Sequence, residues 1–532
     1  MGYNAIALSQ YSILNTNYFL MVELNENLLS AGDFYKIVHY GGKIKISASL
    51  LDEADKNFHF LRDFSVDKVI YGINTGFGPM AQYRIPYAER LTLQYNLIRS
   101  HASGMGKPLP PVYSRAMLVD RLNTFAKCRS GVHPDLLILI AEMINHDILP
   151  VIYTHGGVGA SGDLVQLAHM ALAIIGEGEV TYKGKITNAG EAMRAEGLTP
   201  FAIRMREGLA MMNGTSCMTG IGLINVFRAK QLLDLSVLLS SAINEIFESY
   251  GDHISAPLNE VKKHKGQNAI AASMRGILAD SKLMRSRQEH LYKETDETHF
   301  QEKVQEYYSI RCVPQILGPI HDTIVYTEEV LLNELNSVSD NPVVDHHRQD
   351  IYHGGNFHGD YVGLEMDKLK IAITKLSMLA DRQLNYLLND KLNGKLPPFI
   401  NTGTIGLNFG LQGIQYTATS TVAENQTLSN PMYIHSIPSN NDNQDIVSMG
   451  SNAALMCARV VDNSFDVLSI HSMAVAQAID CLNASENLSP KIEEFYIEMR
   501  EVSKKIDSDE ARFGELAAIK AYLLDKHFDL VN

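Results

Sequence analysis

Six residues, Gly157-Val158-Gly159-Ala160-Ser161-Gly162, admit two different chemistries. As G-x-G-x-x-G they read as a cradle for a dinucleotide phosphate. Strand-like residues 150–153 precede them, helix-like residues 163–176 follow, and Glu177 and Glu179 lie beyond. Context argues against that reading. Thr154-His155-Gly156 separate the strand from the first glycine, and no further strand–helix–strand units follow. The second reading is an electrophile that the chain makes from itself. A tight bend brings the Gly162 nitrogen onto the Ala160 carbonyl carbon and closes a five-membered ring. Gly162 has no Cβ to obstruct that approach, and Ala160 is small. Dehydration of Ser161 then leaves a methylene conjugated with the ring, electrophilic without metal or external cofactor. The plain alternative is a structural turn before a helix, and spacing alone does not separate the two.

Other loops share this Gly- and Asn-rich character: residues 72–81 (GINTGFGPMA), 213–216 (NGTS), 339–342 (SDNP), 354–360 (GGNFHGD) and 440–448 (NNDNQDIVS). Such loops reach backbone conformations closed to other residues, and a rigid scaffold makes them places for binding and catalysis. The scaffold reads as helical. Leu369, Ile373, Leu376, Ala380, Leu384 and Leu387 recur at helical spacing, as do Val461, Phe465, Leu468, Ser472, Val475 and Ile479. Residues 225–250 read as a buried helix, and a helical pattern opens at Met21. Strand signals are short, at residues 43–47, 68–71, 150–153 and 179–182. The expected fold class is mainly α.

With 46 Lys and Arg against 60 Asp and Glu among 532 residues, the net charge is −14, which excludes a general nucleic-acid binder. No stretch approaches the roughly 18 apolar residues of a bilayer span. Five scattered cysteines, never spaced as CxxC, argue against a disulfide scaffold or a cysteine zinc site and suit a cytoplasmic location. Residues 1–20 lack the basic and apolar regions of a secretory signal, and are expected to be a poorly tied extension.

Residues 156–164, GGVGASGDL, resemble the signature of the aromatic amino-acid ammonia-lyases, the family of histidine, phenylalanine and tyrosine ammonia-lyases and the related aminomutases. Further blocks resemble the family in its own order: VIYGINTGFGPMA (69–81), NLIRSHASGMGKPL (96–109), REGLAMMNGTS (206–216), VQEYYSIRCVPQ (304–315), SDNP, GGNFHGD and NQDIVSMG (443–450). The resemblance implies a 4-methylideneimidazol-5-one (MIO) group formed from Ala160, Ser161 and Gly162, with no external cofactor and no metal. It implies a long, fumarase/aspartase-like helical bundle over residues 221–532 and a smaller N-terminal, MIO-bearing domain over 21–220. It also implies a homotetramer with active sites shared between subunits, acting on a small aromatic amino acid, with no nucleic-acid or membrane partner.

Removing ammonia from an amino acid meets two obstacles, a weakly acidic β-proton and a poor amine leaving group. By the resemblance, MIO answers the second and Tyr71 is the base that answers the first. A phenol, ordinarily near pKa 10, has to be lowered by its site to do so. Gly72, Gly76 and Gly78 suit a loop that moves as a lid. The resemblance assigns the substrate carboxylate to Arg311, a planar bidentate cation, with Tyr308 as a hydroxyl donor. If the segment is helical, Gln305, Tyr308 and Arg311 share one stripe. Asn213 and Asn341 are suited to hold the ring oxygen or substrate polar groups, and Phe357 to pack beside the electrophile. Glu424 would handle the amine proton and Gln444 completes the set. Solvated surface side chains are the plain alternatives for Arg311 and Glu424. His358 resembles a metal ligand, but no second His at helical spacing supports it.

The resemblance implies that the dipeptide Ser100-His101, within residues 96–104, lies against the substrate ring, and a Ser-His pair is shared by histidine and some bacterial tyrosine enzymes. Two departures point away from histidine. The chain reads Arg311-Cys312-Val313-Pro314-Gln315 where histidine enzymes read RCQPQ, and NQDIVS from Asn443 where they read QEDHVS. His101 would accept a hydrogen bond from a phenol, so that phenylalanine leaves it unpaired. The expected reaction is deamination of L-tyrosine to trans-4-coumarate. Histidine ammonia-lyase comes next, then phenylalanine ammonia-lyase or tyrosine 2,3-aminomutase.

Overall fold

A computed structural model describes residues 21–300 and 302–531, so the expected extension at residues 1–20 lies outside the described residues. The chain divides into two units. The first takes the chain up to Ile224 together with Glu328–Met366 and Pro431–Leu455; the second holds Asn225–Thr327, Asp367–Asn430 and Met456–Asn532. Both units are discontinuous in sequence.

All strands among the described residues belong to the first unit and form small sheets. Met21–Leu24 pairs in parallel with Lys43–Ile46, where alternation buries Val22, Leu24 and Ile44. The helical pattern expected from Met21 therefore opens later, at Ala31, after the Ser30 hydroxyl has accepted Asp33 N. Glu179–Tyr182 forms as expected, but residues 68–71 do not form a strand. The Asn74 carboxamide takes the groups a ladder would use: its Oδ1 accepts Ile70 N at 2.9 Å and its Nδ2 donates to Lys68 O at 2.7 Å. Expected strand 150–153 is broken into Leu149–Pro150 and Tyr153–His155, each pairing antiparallel with a different partner. The glycine loop after it is thus no parallel dinucleotide-binding unit.

Long helices dominate. Leu369, Ile373, Leu376, Ala380, Leu384 and Leu387 are all buried along Asp360–Leu388, and the stripe from Val461 to Ile479 is buried along Gly450–Cys481. The helix expected over 225–250 starts earlier and runs Ser216–Ile246. Pro111–Ala126 is buried on every face from Tyr113 onward, including Arg121. That guanidinium compensates its burial by donating to Ser339 O at 3.0 Å, Asn213 O at 2.9 Å and Ala210 O. A second fully buried guanidinium, Arg206, grips Asp340 with two bonds of 2.9 and 3.0 Å and donates to Asn341 O at 3.0 Å. Together they pin the NGTS and SDNP loops. The five cysteines are free, and no helix among the described residues is long and apolar enough to cross a membrane.

Candidate active site

Ala160, Ser161 and Gly162 sit in a bend clamped from two sides. Asp163 N donates to Gly214 O at 2.8 Å, and the Asp163 carboxylate caps the helix Ser216–Ile246 by accepting Cys217 N and Met218 N, both at 2.9 Å. Burial pushes this carboxyl up to about 6, against the hydrogen bonds from Ser451, Met218 and Cys217 that favour its charged form. On the other side Met449 N donates to Val158 O at 3.0 Å and the Ser448 hydroxyl to Gly159 O at 3.1 Å. Two glycines make the bend possible. Gly162 lies at φ +73°, where a Cβ would sit 2.0 Å from Gly214 O. Gly159 lies at φ +77°, and its Cβ would meet Ser448 Oγ at 2.1 Å. Ala160 is buried, and its carbonyl accepts from His358 Nδ1 at 3.0 Å.

Six of the residues expected at the site line one cavity of about 290 Å³ in the first unit: Tyr71, Ser100, His101, Ser161, Asn213 and Gln444. Gln444 Nε2 donates to Ser161 Oγ at 3.0 Å, while its Oε1 is held by the Ser439 hydroxyl at 3.2 Å. The Tyr71 hydroxyl accepts Gly78 N at 3.1 Å, and the ring meets Phe77 edge-on with centroids 6.0 Å apart. His101 closes the helix Arg90–His101, and its Nδ1 lies 2.9 Å from Leu97 O. A carbonyl only accepts, so that nitrogen carries the proton and Nε2 of the neutral ring is left as an acceptor. Asn213 Oδ1 is buried and has no hydrogen-bond partner among the described residues. Such an atom is costly unless something else donates to it.

Asn341 and Phe357 do not line this cavity. The Asn341 carboxamide is engaged elsewhere, its Oδ1 accepting Gly354 N at 2.9 Å. Gln305, Tyr308, Arg311 and Glu424 belong to the second unit. The first three line a cavity of about 740 Å³ there. Arg311 stacks over the Tyr308 ring at 4.8 Å and donates to Gln305. The single helical stripe is not what joins them. Helix covers only Tyr308–Arg311, Gln305 lies ahead of it outside any helix or strand, and the guanidinium reaches back to it. Glu424 is exposed and pairs with Arg459 at 3.3 Å.

Sequence reasoning missed Asn440, Phe77 and Leu209 in the cavity wall. It also missed Asp163 and the Arg206–Asp340 pair that hold the loops in place. The signal was available: all three charged residues fall inside or beside the motif blocks, at positions where a surface charge would have no reason to sit. Glu53, His346 and His347 come close enough together to hold a metal ion. None of them lines the Ser161 cavity. The Asn57 amide is fixed by Gly131 N and Val344 O, so its Nδ2 faces His346 Nδ1 as a donor at 3.0 Å. The His346 proton therefore sits on Nε2, which donates to Glu53 at 2.6 Å as a hydrogen bond rather than offering a lone pair.

Residues 29–501 match the family model described as aromatic amino acid lyase. The chain belongs to that family. It is 38% identical over 502 residues to a tyrosine 2,3-aminomutase of Myxococcus sp. (strain Mx-B0), covering 93% of this chain and 95% of the relative. It is 41% identical over 415 residues to a histidine ammonia-lyase of Stigmatella aurantiaca, covering 78% and 79%. Among solved structures, a tyrosine aminomutase from Streptomyces globisporus superposes with a TM-score of 0.91 at 33% identity, covering 94% of this chain and 96% of that one. As a member of the aromatic amino acid lyase family, the chain is a carbon–nitrogen lyase with the mostly helical histidine/phenylalanine ammonia-lyase fold.

Proposed function

We propose that the protein deaminates L-tyrosine to trans-4-coumarate and ammonia, using an MIO group cyclised from Ala160, Ser161 and Gly162. The observation that carries this reading is the gathering of Tyr71, His101, Asn213 and Gln444 around Ser161 in one cavity. The loop fits such a group. Gly162 occupies a left-handed conformation with no room for a side chain, and Asn213 Oδ1 is an orphaned buried atom in the same cavity. What the ring supplies is an electrophilic carbon toward the substrate amine. Everything else falls to side chains. His101 Nε2 accepts the substrate's phenolic hydrogen, which places the ring and leaves phenylalanine with an unpaired acceptor. The Tyr71 oxygen, which also accepts Gly78 N–H, takes the β-proton. Arg311 and Tyr308 take the substrate carboxylate, and Glu424 the amine proton. Asn341, Phe357 and Gln305 support these groups.

Homotetrameric assembly, with each active site drawing residues from more than one copy, belongs to the same proposal. A second reading has a specific observation behind it. Tyrosine 2,3-aminomutases are among the relatives that cover most of the chain. They support tyrosine as substrate and leave the product open, because a mutase retains the unsaturated acid and returns the ammonia to it. A panel of L-tyrosine, L-phenylalanine, L-histidine and L-DOPA, with products resolved by chromatography, tests both. The highest kcat/KM for tyrosine with coumarate released supports the lyase. β-Tyrosine as the main product selects the mutase, and urocanate from histidine as the preferred reaction overturns both.

A further inference from the structure

The bend at Ala160–Gly162 places a proton donor on the one carbonyl that ring closure must activate. His358 Nδ1 lies 3.0 Å from Ala160 O, and across the imidazole its Nε2 lies 3.0 Å from Asp360 Oδ2. Both neighbours accept, so both bonds form together only when the ring is protonated. The residue is steadied by His358 N donating to Gly355 O at 2.9 Å, and its side chain keeps 28% exposure, enough to exchange protons with solvent. The nucleophile is free. Gly162 N makes no hydrogen bond among the described residues, because the pairing with Gly214 runs through Asp163 N instead. Gln444 Nε2 meanwhile donates to the Ser161 hydroxyl at 3.0 Å.

We propose that His358 is the catalytic acid of the chain's own cyclisation, its protonated ring held by Asp360 and its proton replaced from solvent. This rests on the reading that residues 160–162 cyclise, and adds the group that drives it. The Gly162 nitrogen forms a bond to the Ala160 carbonyl carbon and loses its proton to solvent. The carbonyl π pair moves to oxygen, which takes a proton from His358 Nδ1. The Ser161 nitrogen then gives up its proton as a carbon–nitrogen double bond forms to the former carbonyl carbon, and the oxygen leaves as water. A second water is made from the Ser161 hydroxyl and its Cα hydrogen, with Gln444 on the departing oxygen. Nothing is oxidised or reduced overall, and two waters balance the change.

The test follows maturation rather than turnover. Full-length chain is made by cell-free synthesis and its intact mass is followed with time, with melting and gel filtration confirming a folded assembly. Wild type passes from full mass to a species two waters lighter. His358→Gln keeps an N–H donor but transfers no proton, and is expected to mature about a hundredfold more slowly or worse. Asp360→Asn slows the step less, and added imidazole accelerates maturation of His358→Gly, which a packing role would not allow. Folded His358→Gln maturing at the wild-type rate overturns the proposal, as does indifference of His358→Gly to imidazole. Wild type that never loses the waters removes the ring itself, a failure distinct from loss of the acid alone.

Discussion

Single side chains at the site carry separable tasks, and substitutions should separate them. Tyr71→Phe keeps the ring contact with Phe77 but loses the proton acceptor, so kcat should collapse while the mature mass and melting temperature stay as in wild type. Near-normal turnover would remove Tyr71 as the base. His101→Phe should erase or invert the preference for tyrosine over phenylalanine, measured as a ratio of kcat/KM. Leaving a buried partner unsatisfied costs about 1–3 kcal/mol, so the expected swing is on the order of tenfold to a hundredfold. An unchanged ratio would leave the reaction standing and remove only His101 as its selector. Arg311→Lys should raise KM for tyrosine more than it lowers kcat, since a point charge does not reproduce a planar fork.

At the scale of elements, much of the scaffold could be read from sequence because burial repeats at the helical period. The stripes from Leu369 to Leu387 and from Val461 to Ile479 are buried as their spacing demands. The segment before Tyr71 could not be read that way. Its apolar residues suggested a strand, but the Asn74 side chain diverts the backbone, a contact that local propensity does not register. Likewise the motif blocks exposed Asn213 and Asn341 as polar loop residues, but spacing gave no sign of the partners that hold them: Arg121 reaches Asn213 and Ser339, and Arg206 reaches Asp340 and Asn341, all through contacts far apart along the chain. Breaking the Arg206–Asp340 pair should therefore be expensive. Asp340→Ala leaves a buried guanidinium uncompensated and is expected to cost about 3–5 kcal/mol in denaturant unfolding. A cost below about 1 kcal/mol, the range of surface pairs, would contradict the structural role given to that pair.

At the scale of the whole molecule, composition bounded the class of protein but not its behaviour with pH or its assembly. His471 lies in Gly450–Cys481 with no exposure and with both ring nitrogens unpartnered among the described residues. Burial lowers its pKa from 6.5 to about 3. A depressed folded value means that this group's contribution is fully present above pH 6.5 and is lost as pH falls toward 3, because only the unfolded chain then takes up the proton. Between pH 7 and pH 5 wild type should lose about 2 kcal/mol more stability than His471→Leu, at roughly 1.4 kcal/mol per pH unit below 6.5. Equal losses would contradict the assignment. Shared active sites make a further demand on the assembly. Tyr71→Phe and Arg311→Ala, each inactive alone, should regain activity when coexpressed. The most direct test of the central claim is the intact mass of purified wild-type chain beside Ser161→Ala. Wild-type chain should be two waters lighter than its sequence, and Ser161→Ala should keep at least one of those waters and release no coumarate from tyrosine. A fully active wild-type chain at its unmodified mass would contradict it.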